Sequence, residues 1–99
     1  MANTIATNET AGLALAVKDE PTTRDMEALM RHVREGRSGA ELSFYESLAN
    51  MLRAAIKAGL VVEPALSVKD VDNLAPGVTR FYGEALMKWY REVTTVPLV

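Results

Sequence analysis

Hydrophobic positions along the chain recur at spacings of three and four in three places, and Leu13, Leu15 and Val17 alternate with alanines over one short run. Between Ser38 and Gly59, Leu42, Tyr45, Leu48, Ala49, Leu52, Ala55 and Ile56 fall on one side of a helix. Ser38 followed by Glu41 is a capping box, in which the hydroxyl and the carboxylate each take a backbone N–H. Gly59 sits where a left-handed residue ends a helix, with Lys57 facing the negative end of the dipole. A second stripe, Met26, Leu29, Met30 and Val33, follows the break Lys18-Asp19-Glu20-Pro21, and Thr22 with Asp25 supplies its N-cap. Because Gly36-Arg37-Ser38-Gly39 is short, these two helices are expected to form a hairpin. The third stripe runs from about Pro76 to Val93: Val78, Phe81, Tyr82, Ala85, Leu86, Trp89 and Val93, with Tyr90 beside them. Gly83 interrupts it at a cost of about 1 kcal/mol of helix propensity, which points to close approach of another backbone.

The remaining segments read as connections. Leu60–Leu66 is apolar and should tuck Leu60, Val62 and Leu66 against the helices; Ser67-Val68-Lys69-Asp70 caps a single short turn. Residues 1–20 read as a flexible N-terminal arm on a helical domain over 21–99, since the first dozen are small and polar. Leu13–Val17 is extended or a short strand, and no second strand is evident in the chain, so a partner strand would come from another subunit. The expected fold is therefore all-α: three main helices, one extra helical turn and the arm.

Composition narrows the chemistry. The 99 residues include no cysteine, which removes disulfides, thiolate metal sites and cysteine nucleophiles. A net charge of −2 gives no general pull toward nucleic acid or anionic membranes. No apolar run is long enough to span a bilayer and no basic leader precedes Leu13–Val17, so a cytoplasmic location is expected. The lone His32 has no serine and acid at triad spacing; Glu63, Asp70 and Asp72 do not converge as metal ligands. No enzyme, cofactor or metal is expected. The helix start after Gly36-Arg37-Ser38-Gly39 matches no phosphate-binding fingerprint.

The width of the last helix's apolar face is the informative feature. Two other helices cover one of its two apolar lines, leaving surface for a protein partner or a second copy, and Phe81, Tyr82, Leu86, Trp89 and Tyr90 are the contact residues that follow. An alternative is a nucleic-acid-associated protein using Arg31, Arg34 and Arg37, although Glu27 and Glu35 interleave with them.

Residues 46–90 also carry Leu60-Val61-Val62-Glu63-Pro64, Ser67-Val68-Lys69-Asp70-Val71 and Leu74-Ala75-Pro76-Gly77-Val78. This succession resembles the tail assembly chaperones of long-tailed bacteriophages, with Ala58-Gly59-Leu60 standing where that family has a tryptophan-containing motif. The resemblance implies a non-catalytic assembly factor that coats a helical tape-measure protein, self-associates and works in the host cytoplasm.

Overall fold

The computed structural model describes residues 2–37 and 41–95. Its elements are β1 (Ala2–Asn8), β2 (Leu13–Lys18), α1 (Thr23–Arg37), α2 (Phe44–Lys57), β3 (Val61–Glu63), α3 (Val68–Val71) and α4 (Pro76–Val93). Among the described residues helix makes up 56% and strand 18%, and the strands form one antiparallel sheet in the order β1-β2-β3. The all-α expectation is thus overturned, and the flexible arm with it.

Local chemistry explains the hairpin. Asn8 Oδ1 accepts the Ala11 N–H at 3.1 Å, Gly12 N donates to Glu9 O at 3.2 Å, and Gly12 adopts a left-handed φ of 68°. The Asn8 side chain holding the Ala11 N–H, together with the positive-φ glycine, reverses the chain, and β1 pairs with β2 from Ala2↔Lys18 to Asn8↔Leu13. β2 needs no second subunit, because its other edge pairs with β3 through Ala16↔Glu63 and Val17↔Val61. Leu15 and Val17 are fully buried, and Ile5, Ala6 and Leu13 pack against the same core. One face of the sheet therefore covers the helices.

Helix boundaries follow their caps. α1 begins after Thr22, whose Oγ1 accepts the Asp25 N–H at 3.2 Å while Asp25 Oδ2 accepts the Thr22 N–H at 2.9 Å. The expected box on α2 is displaced: Ser43 Oγ accepts the Glu46 N–H at 3.3 Å and the helix starts at Phe44, so Glu41 lies outside it. Ser38 lies outside the described residues. A serine inside a helix competes for its backbone hydrogen bonds, whereas at the cap it completes them, and Ser43-x-x-Glu46 is as good a start signal as the earlier pair. At the other end Gly59, at φ 73°, donates to Ile56 O and Leu60 N donates to Ala55 O at 2.9 Å. This Schellman closure turns the chain so that Leu60 enters the core and Val61–Glu63 runs along β2. The connection read as loop is thus a strand, ending at the cis Glu63–Pro64 bond. α3 carries the expected reciprocal box between Ser67 and Asp70.

α2 is the central helix, touching α1, α3 and α4. Gly83 is where α4 meets it: a Cβ there would lie 2.7 Å from Leu48 Cβ and 3.1 Å from Leu48 Cα. The α1–α2 crossing has its own glycine, since a Cβ on Gly36 would overlap the Asn50 amide. Asn50 is buried and donates from Nδ2 to Val33 O at 2.9 Å, tying the two helices together. α4 packs on β1 and β2 as well as α2.

Candidate functional site

Capping by Ser43 places Phe44 and Tyr45 in the first turn of α2. Both rings stand in solvent, Phe44 at 56% exposure and Tyr45 at 48%. They meet edge to face, with centroids 5.3 Å apart and planes at 77°. Such a pair contributes about 0.5–1.5 kcal/mol beyond burial. From α4, the Arg80 guanidinium lies 5.6 Å from the Phe44 ring centroid. Arg80 also donates to Glu84 one turn on, and that hydrogen bond raises its pKa, so it remains cationic. Two aromatics and a fixed cation form a ridge.

Beside the ridge is a cleft of about 330 Å³ between α2, α3 and the start of α4. Tyr45, Ala49, Val71, Leu74 and Pro76 give it apolar walls. Its polar rim is already paired: Arg53 donates to Asp72 at 2.8 Å and lies 3.7 Å from Glu46. A slot with apolar walls and a paired polar rim, beside exposed aromatic rings, accepts an apolar side chain.

The residues predicted from sequence sit elsewhere. Tyr82 (4% exposed), Leu86 (0%) and Trp89 (4%) belong to the core. Phe81 and Tyr90 are half-buried and pack against it. Burial drives the Tyr82 hydroxyl pKa upward. The surplus apolar line of α4 faces the β1–β2 hairpin: Ile5 and Ala6 share a small cavity with Ala85 and Trp89. Of the arginine set, Arg31 and Arg34 line a groove with Met26, Met30 and Tyr90, while Arg37 does not. Arg31 Nε is 3.9 Å from Glu35 Oε1. His32 Nδ1, 3.5 Å from the same oxygen, is buried without a hydrogen-bond partner.

Phe44 falls outside the apolar stripe that spacing gives α2, and Tyr45 lies on that stripe yet is exposed. The signal available was Ser43: an aromatic pair immediately after a cap lies on the first turn, where fewer neighbouring turns can cover it. Among the described residues no group of three or more His, Asp or Glu gathers to hold a metal, and no helix is long and apolar enough to cross a membrane. Comparison with protein-family models, curated proteins and solved structures finds no match to this chain.

Proposed function

We propose that this chain is a non-catalytic protein-interaction module that docks a helical segment of a partner protein on the Phe44–Tyr45 ridge. The observation that carries the reading is the exposure of two adjacent aromatic rings, 56% and 48%, beside an apolar cleft. Aromatic side chains held on a rigid helix lose little entropy on binding and are the usual anchors of an interface. The cleft takes one apolar side chain of the partner; Phe44 and Arg80 flank it. The likeness of residues 46–90 to phage tail assembly chaperones supports a long amphipathic helix as the partner and an assembly role in the cytoplasm.

A selection from a surface-displayed library of helical peptides tests this. The expected binders carry apolar anchors at spacings of three and four. Phe44→Ser or Tyr45→Ser weakens them about tenfold or more, in line with the loss of an anchor residue, while the fold persists with stability lowered only by the lost ring pair, about 0.5–1.5 kcal/mol. Binders indifferent to both substitutions, or no binders at all, contradict the proposal.

A further inference from the structure

The first turn of α4 divides two hollows. Pro76 and Thr79 line the cleft, whereas Gly77 and Arg80 begin a second groove, of about 670 Å³, that follows the helix to Arg91. Arg80, Glu84, Met87 and Arg91 recur at spacings of four, three and four, so they form one line along α4, with Lys88 beside it; all are exposed. Their charges are unevenly met. Glu84 accepts from Arg80. Among the described residues, neither Lys88 nor Arg91 has a carboxylate within ion-pair distance, although Glu92 adjoins both. Residues 1, 38–40 and 96–99 include no Asp or Glu, so they bring no side-chain carboxylate to these cations. On a chain of net charge −2, the groove thus holds two neighbouring cations without a counter-charge.

We infer that the docked partner segment is acidic where it crosses this groove, with two of its carboxylates pairing with Lys88 and Arg91. The placement of its apolar anchors rests on the ridge reading; the inference adds the partner's charge. Arg80 joins the two surfaces, since its guanidinium lies 5.6 Å from the Phe44 ring centroid and also lines the groove. Lys88 and Arg91 stand about 12–17 Å further along the α4 axis. A helix laid along α4 covers that length in two to three turns, which sets the distance between its anchors and its carboxylates. Complementary charge fixes register and rejects wrong partners more than it adds affinity, so these cations select among helices that share the same anchors. Two cations match a pair of carboxylates, whereas nucleic-acid binding draws on a longer track of phosphate contacts. Phe81 and Met87 give the groove apolar contact as well, which suits an amphipathic peptide.

Two synthetic helical peptides test the inference. Both carry leucines at spacings of three and four; they differ only in having Glu or Gln two and three turns to either side, so that binding in either direction is covered. Wild type should bind the Glu peptide about threefold or more tighter than the Gln peptide at low ionic strength, as two exposed charge pairs allow. Added salt should shrink the preference. K88Q/R91Q, altered at exposed positions only, should erase it, and K88E/R91E should reverse it. Phe44→Ser should weaken both peptides alike and keep the preference. If Phe44→Ser binds both as wild type does while K88Q/R91Q erases the preference, the ridge reading fails and the acidic-partner inference stands. A wild type that binds the two peptides alike or binds neither, or a preference that survives in K88Q/R91Q, overturns the inference. So does a single-stranded oligonucleotide that binds more tightly than the Glu peptide and displaces it, which would assign the groove to nucleic acid.

Discussion

Gly83 and Gly77 lie on the same helix and answer opposite questions. A Cβ at Gly83 would come within 2.7 Å of Leu48 Cβ, whereas a Cβ at Gly77 would meet nothing within 4 Å. Gly83→Ala should therefore destabilise the fold by about 1–3 kcal/mol through overpacking, despite the gain in propensity. Gly77→Ala should be neutral or stabilising by up to about 1 kcal/mol. Urea melts of the two variants read the difference; equal effects would mean that α2 and α4 do not approach as described. The need for a glycine at 83 was legible from sequence, because no other feature of the 76–93 stripe explained one. Phe44 was not. A helix stripe tells which residues can face inward, and Tyr45 lies on the stripe of α2, but coverage depends on where α3 and α4 begin. Those ends leave a cleft beside Tyr45 instead of a neighbour.

Elements were readable where a side chain writes the boundary. Thr22 with Asp25, Ser67 with Asp70, Gly59 and Pro76 each mark an end that the structure retains. α2 starts after Ser43, so the Ser38-x-x-Glu41 pattern read from spacing did not mark its beginning. Ser43→Ala should cost about 1 kcal/mol, measured by chemical denaturation. The Asp25 and Asp70 carboxyls are held below the ordinary carboxylate range, chiefly by the backbone N–H groups of Thr22 and Ser67 respectively. A depressed folded-state pKa stabilises the fold fully above the unfolded value, about pH 4, and that contribution is lost as pH falls through the folded value. Thermal midpoints should drop on acidification below about pH 4, and D25N/D70N should show a shallower drop from a lower starting point. An unchanged slope in the double variant would remove these caps from the account. β1 and β3 escaped reading for a different reason. β1 has a single large apolar residue, Ile5, and β3 is three residues in an apolar connection, so neither shows alternation; both exist because β2 offers them edges. The buried members of β2 make the consequence testable. Leu15→Ala should cost about 2–5 kcal/mol, whereas a flexible arm would lose nothing.

At the scale of the whole molecule, the hairpin changes what α4 is for. Read as three helices, the chain has too much apolar surface on α4, and Tyr82, Leu86 and Trp89 look like an interface. With the sheet in place they close the core between α2 and the hairpin. Of the exposed large apolar residues, Phe44 and Tyr45 at the start of α2 are the most exposed and stand beside the cleft that α3 and α4 leave open, while Val62, Met87 and Val93 are exposed singly elsewhere. Burial of the aromatics on α4 and exposure of those on α2 are thus two results of one packing arrangement. The most direct test is the affinity of one peptide, chosen from the helical library, for three proteins: wild type, Phe44→Ser and Tyr90→Ala. The ridge reading predicts that Phe44→Ser weakens binding about tenfold or more while Tyr90→Ala binds as wild type does. Full binding by Phe44→Ser together with loss in Tyr90→Ala would contradict it and return the contact surface to the last helix.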